Sequence, residues 1–168
     1  MIRPANEADL AAITAIFNEV ILNSTAIYAD EPVDITDRAG WFEARRAAGY
    51  PVLVAEAGGE VIGFASFGDW RGAWSGYRHS VEHSVHVRAD RRGRGAGSAM
   101  VAALFPLARD LGKHVMIGGI DAENAASIAM HQRLGFARVA HFREVGRKFD
   151  RWLDLVFMQR FLALPAAP

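Results

Sequence analysis

Val81-Glu82-His83-Ser84-Val85-His86-Val87 is followed closely by Arg91-Arg92-Gly93-Arg94-Gly95-Ala96-Gly97-Ser98, and these two stretches decide the fold. The first alternates with period two. Val81, His83, Val85 and Val87 share one face and Glu82, Ser84 and His86 the other, as in a strand with one face on a core. The second is a glycine-rich turn that opens a helix running to Leu111, with Gly112 past its C-terminus. Outward from this pair, Val115–Ile120 reads as a strand, Ala125–Leu134 as a helix closed by Gly135, and Ala137–Phe142 and Trp152–Phe161 as strands. On the N-terminal side, a short strand near Ile2 precedes Asn6 and Asp9, spaced like a capping box. Leu10, Ile13, Phe17, Val20 and Ile21 then recur at helical spacing to about Asn23. After a loop to Asp34, a second helix runs from Thr36 to Gly49. Strands Val52–Glu56 and Val61–Phe67 flank a paired-glycine hairpin turn, Gly58-Gly59. Helices interleaved with hairpin-linked strands predict a mixed α/β sheet covered by helices.

Composition narrows the function classes. The 168 residues carry 19 Lys+Arg against 19 Asp+Glu, so the electrostatic footprint of a nucleic-acid binder is missing. Without cysteine there is no disulfide, no thiolate metal site and no cysteine-borne acyl intermediate. The longest apolar run, Ala99 to Ala108, is far shorter than a membrane span, and Met1-Ile2-Arg3-Pro4 lacks a signal peptide's apolar stretch. The expectation is one cytoplasmic domain over 1–163, with a frayed tail at 164–168. Neither a metal, a nucleic-acid partner nor a membrane partner is expected.

Glycines at 93, 95 and 97 let the backbone turn sharply and approach a ligand closely. The free N–H groups of the helix that follows favour an anion such as a phosphate. A plain flexible helix start is the alternative reading. The pattern is not G-x-x-x-x-G-K-[ST], so it is not a P-loop. It is not a dinucleotide fingerprint either, because it lies mid-chain and position 98 is Ser98.

Arg92-x-x-Gly95-x-Gly97 resembles the [QR]-x-x-G-x-[GA] signature of the GNAT N-acetyltransferases. Asn124-Ala-Ala-Ser127-Ile-Ala-Met-His131-Gln-Arg-Leu-Gly135-Phe136 resembles that family's second signature helix. Four further segments are similar to its phosphinothricin and methionine sulfoximine acetyltransferase group. They are Thr25-Ala26-Ile27-Tyr28, Gly68-Asp69-Trp70-Arg71, Val81–Val85 and Gly146–Asp154. The resemblance implies a mixed, mostly antiparallel central sheet flanked by helices, acetyl-CoA as co-substrate, and a homodimer. It also implies acetyl transfer to the α-amine of a small amino-acid-like substrate, by direct attack in a ternary complex.

It carries residue roles as well. Arg92, Gly93, Arg94, Gly95, Ala96, Gly97 and Ser98 cradle the pyrophosphate, and backbone N–H groups near Val85, His86 and Val87 face the thioester oxygen. Asn124 serves the pantetheine arm, or only the N-cap of its helix. Glu82 is the candidate proton acceptor, against the plainer reading of a glutamate on a solvated strand face. His83 points the other way, as a core histidine. His131 stands where many members have a tyrosine that protonates the leaving thiolate; cofactor contact or helix packing is the alternative role. The loop from Trp70 to Arg78 is the substrate candidate. Arg71 or Arg78 would clamp a carboxylate, and Tyr28, Trp70 and Trp74 would wall the side chain. Its alternative is an aromatic surface loop or dimer contact. Two rival functions remain at this level: acetylation of a polyamine, an antibiotic or a protein N-terminus, and a non-catalytic acyl-CoA-binding sensor.

Overall fold

The computed structural model describes residues 1–162, so the expected tail at 164–168 lies outside the described residues. Seven strands and four helices run in the order β1 (Ile2–Pro4), α1 (Leu10–Asn23), α2 (Ile35–Ala47), β2 (Val52–Ala57), β3 (Glu60–Asp69), β4 (Ser80–Val87), α3 (Ala96–Asp110), β5 (Val115–Asp121), α4 (Ala125–Arg133), β6 (Ala137–Lys148) and β7 (Arg151–Phe161). Local chemistry sets several boundaries. Asn6 and Asp9 form the expected capping box, with the Asp9 carboxylate also held by Arg3 through two bonds of 2.8 Å. Asp34 caps α2 by accepting from the Asp37 N–H. Gly58 and Gly59 both have positive φ, which suits the twist of the β2–β3 hairpin.

The strands form one sheet in the order β1-β2-β3-β4-β5-β7-β6. Every neighbouring pair is antiparallel except β4 and β5, as the mixed, mostly antiparallel expectation has it. Alternation sends side chains to two cores. Val54 and Phe64 pack with Ile13, Ile16 and Phe42 of α1 and α2. Leu53, Ala65, Phe67 and Val81 pack with Met100, Val101 and Leu104 of α3. Glu82 and His86 therefore face the α1–α2 side, while Val81, Val85 and Val87 face α3.

The parallel pairing of β4 with β5 is short. Ser80, Val81 and Glu82 pair with Val115, Met116 and Ile117, and then the strands part. Residues 83–87 of β4 and 118–121 of β5 become the walls of a V-shaped opening.

β6 runs six residues beyond the Phe142 expected from the sequence. Residues 143–148 carry no apolar alternation, because β6 is an edge strand with mostly exposed side chains. It forms by pairing with β7, across a register irregularity between Phe142 and Gly146. Glu144 sits there at φ 50°, and its N–H is accepted by Asp154 at 2.8 Å.

At the end of β6, the buried Lys148 ammonium donates to three carbonyls: Ile21 at 2.5 Å, Ser24 at 2.7 Å and Ile27 at 2.7 Å. It fastens the end of α1 and the segment after it against the sheet, and burial pushes its pKa down. Lys148→Met leaves these carbonyls without their charged donor. It is expected to cost about 3 kcal/mol in urea unfolding. An unchanged midpoint would mean that water satisfies these carbonyls equally well.

Candidate active site

The opening between β4 and β5 holds a cavity of about 400 Å³. Glu82 stands at the apex of the V, where pairing stops. Its half-buried carboxylate leans over Gly119, so that a Cβ there would lie 3.1 Å from Oε1. Burial raises its pKa, with no cationic partner to offset it.

Gly118 performs the same service for two imidazoles. A Cβ on it would meet His83 Nε2 at 3.0 Å and His131 Nε2 at 3.2 Å. The two rings lie 3.1 Å apart at these nitrogens, and both are buried. The hydrogen-bond network assigns their protons. His131 Nδ1 lies 2.7 Å from the Ser127 carbonyl, which only accepts, so Nδ1 carries the proton. His131 Nε2 then accepts from His83 Nε2–H, which leaves the buried His83 Nδ1 without a hydrogen-bond partner. Burial holds His83 down to about 3, with the neighbouring His131 and His86 adding to the effect. It also lowers His131. His86 drops to about 4 through burial and the nearby Arg92 and Arg38. All three are neutral at physiological pH.

A second cavity of about 590 Å³ adjoins the first, and Val85, His86, Asn124 and Ser127 line both. Its floor is the glycine-rich turn, with Gly93 at φ 75° and Gly95 at φ 86°. No side chain caps α3, so the N–H groups of its first turn are free for a ligand. Arg92 braces the turn, donating to the Val87 carbonyl and to the Glu19 carboxylate at 2.8 Å each. Gly93, Ala96, Gly97, Ser98 and Val87 line this cavity, while Arg94 does not. Asn124 Oδ1 accepts from the Ser127 N–H at 3.0 Å, so it caps α4 while lining the junction. These features fit a diphosphate bound to backbone donors. Among the described residues, no cluster of three or more metal-ligating side chains is present, and no helix is long and apolar enough to cross a membrane.

The remaining expected site residues lie elsewhere. Tyr28 donates to the Asp154 carbonyl at 2.8 Å, and its ring occupies the space left by Gly146. Trp70 packs edge-on against Phe157, and Trp74 is 65% exposed. Arg71 lies over the Tyr77 ring, and Arg78 donates to the Ser75 carbonyl. None of these five lines either cavity. In their place, Phe17 of α1 and Arg38, Trp41 and Arg45 of α2 wall the first cavity on the Glu82 side. Nothing in the local pattern of α2 signals this, since arginines on an amphipathic helix read as a solvated face. The pair Gly118-Gly119 was a usable signal, because glycine inside a strand often marks a close approach.

A family model described as the acetyltransferase (GNAT) family matches residues 13–136. An L-amino acid N-acyltransferase, MnaT, of Escherichia coli is 54% identical over 158 residues, covering 94% of this chain and 91% of its own length. An L-methionine sulfoximine/L-methionine sulfone acetyltransferase of Salmonella typhimurium is 52% identical, covering 99% and 97%. The crystal structure of a GNAT superfamily phosphinothricin acetyltransferase from Sinorhizobium meliloti, in complex with acetyl-CoA, superposes with a TM-score of 0.93. It is 37% identical and covers 96% of this chain and 87% of that one.

The histidine pair makes stability depend on pH. An imidazole held below its ordinary 6.5 is neutral in the folded chain while the unfolded chain already takes up protons. Its contribution is complete above pH 6.5 and is lost as pH falls toward 3. His83→Gln keeps a donor toward His131 but does not titrate. Between pH 6.5 and 4 its Tm should fall less steeply than that of the wild type. Parallel profiles would show that His83 takes its proton without unfolding the chain.

Proposed function

The chain belongs to the GNAT acetyltransferase family and is an acetyl-CoA-dependent N-acetyltransferase, and from that premise we propose that it acetylates the α-amine of a small amino-acid-like substrate of the methionine sulfoximine or phosphinothricin type. One observation carries the reading. An unpaired, half-buried carboxylate, Glu82, stands in a cleft that shares Val85, His86, Asn124 and Ser127 with the cavity floored by the glycine-rich turn. A binding module without catalysis has no use for such a group. We also read residues 1–163 as one domain, acting in the cytoplasm. The exposed Phe142, Val145, Phe149 and Trp152 of the β6–β7 hairpin support a homodimer.

Acetyl-CoA supplies an activated acyl carbon and a thiolate leaving group. The turn 92–98 and the start of α3 hold its diphosphate, and Asn124 lies along the route of its arm. Glu82 takes a proton from the substrate ammonium, directly or through one water. Its raised pKa makes it a better acceptor than an exposed glutamate. The freed amine attacks the acyl carbon in a ternary complex, the C–N bond forms and the C–S bond breaks, and the second proton of the attacking nitrogen passes through water to the departing thiolate, leaving a neutral amide and a free thiol. Backbone N–H groups on the edge of β4 that faces the opening, near Val85 to Val87, are suited to the developing oxyanion. His131 keeps its Nδ1–H on Ser127 and its Nε2 on His83. We therefore read it as a positioning residue that shapes the wall beside the thioester.

Thiol release from acetyl-CoA, followed with a panel of free L-amino acids, polyamines and peptides, tests the reading. Turnover confined to peptides or polyamines overturns the substrate assignment. With the preferred amino acid, Glu82→Gln should lower turnover by about 10²–10⁴-fold while the affinity for acetyl-CoA stays near wild type. Full activity across neutral pH would move the proton to another acceptor.

The cofactor cradle has its own measurement. Acetyl-CoA should raise the Tm of the wild type, and Gly95→Val should abolish that rise, since a β-branched residue is strained at φ 86°. An undiminished rise in the folded variant would remove this turn from the cofactor site.

A further inference from the structure

Arg45 enters the first cavity from the last turn of α2. Among the described residues its side chain forms no ion pair and no hydrogen bond; the Asp69 carboxylate in the same cavity acts on it only from a distance. Arg46 pairs with Glu43, Arg38 with Asp37, and Asp69 lies near Lys113. Arg45 Nε is buried and has no hydrogen-bond partner among the described residues. A half-buried guanidinium left this way is costly unless a ligand completes it.

Its position is tightly determined. A Cβ built on Gly68 would fall 1.8 Å from Arg45 Nη1 and 2.5 Å from Cζ, so the guanidinium occupies the side-chain space of Gly68. Gly68 is the cross-strand partner of Glu82 in the β3–β4 ladder. Directly opposed residues point to the same face, with Cβ positions about 4.5–5.5 Å apart. A free cation and a free anion thus stand side by side on the floor of one cleft, without an ion pair between them. An α-amino acid carries the complementary pair, with carboxylate and ammonium roughly 3 Å apart across one carbon.

Resting on the acetyltransferase reading above, we propose that Arg45 receives the α-carboxylate of the acceptor substrate while Glu82 faces its α-amine. The two together read the amino-acid head group. The planar guanidinium takes the carboxylate through two parallel bonds. This fixes the amine toward the junction of the two cavities, where the acyl group arrives, and leaves the substrate side chain toward Trp41 and Arg38.

The test compares L-methionine sulfone with its decarboxylated analogue, methylsulfonylpropylamine, in the thiol-release assay. Wild type should prefer the amino acid. Arg45→Ala should raise KM for the amino acid by about 30-fold or more, with a far smaller effect on the analogue. Arg45→Lys should recover only part of the loss. Gly68→Ala is the independent variant, because it displaces the guanidinium without removing its charge and Gly68 has an ordinary φ. It should show the same substrate-selective rise in KM, with acetyl-CoA affinity retained. Equal losses on both substrates, or a selective loss in Arg71→Ala with Arg45→Ala unaffected, would overturn the assignment and leave acetyl transfer standing. A wild type that turns over neither substrate nor any other L-amino acid removes both readings together.

Discussion

The parting of β4 from β5 after Glu82 and Ile117 is the constraint on which the rest of the structure depends. A sheet normally satisfies each backbone N–H and C=O through its neighbours, and opening one inside a sheet leaves these groups in need of partners. Here the unpaired edges become useful. They line the space between the Glu82 carboxylate and the glycine-rich turn, where on the reading proposed above a polar substrate supplies the missing bonds. Gly118 and Gly119 make this arrangement possible on the β5 side, since any side chain there would crowd the two imidazoles and the Glu82 carboxylate.

Alternation along β4 then divides the labour. Val81, Val85 and Val87 anchor the strand on α3, and this core fixes the start of the helix whose first-turn N–H groups face the second cavity. Glu82 and His86 face α1 and α2, whose side chains wall the first cavity. His83 points to the α3 side but reaches across Gly118 to His131 and joins the opposite wall. Burial keeps the histidines uncharged, so the Glu82 carboxylate and the Arg45 guanidinium face the first cavity without a positive field from the imidazoles. On the reading proposed above, such a site suits a zwitterion better than a simple amine.

The third wall comes from the segment after α1, which contributes Thr25 and Ala26 to the cavities. This segment has no regular structure to hold its own backbone groups. Lys148, more than 120 residues away in sequence, takes its Ser24 and Ile27 carbonyls together with that of Ile21 in the last turn of α1, and Thr25 bonds to the buried Asp121 at the end of β5. The β6–β7 hairpin thus supports the site from behind β5 without lining either cavity, and Tyr28 against Gly146 adds to the same seam.

Period-two alternation in residues 81–87, glycine spacing in 92–98 and helical spacing in 10–21 were local patterns, and with others like them they were enough to read a mixed, mostly antiparallel sheet flanked by helices and a glycine-rich turn at the start of α3. Local patterns suffice there because backbone geometry acts over a few residues. The face of Glu82 was legible for the same reason. What lies opposite that face was not. The substrate wall was expected in the aromatic loop of Trp70, Arg71, Trp74 and Arg78, whereas the cavity is walled by Arg38, Trp41 and Arg45 of α2. The partner of β4's polar face is chosen by the packing of α1 and α2 across β3, a contact between segments far apart in the chain. The extension of β6 through 143–148 and the grip of Lys148 on residues 21–27 were hidden similarly. Periodicity reports which side of an element is buried, while only the tertiary structure decides what it is buried against.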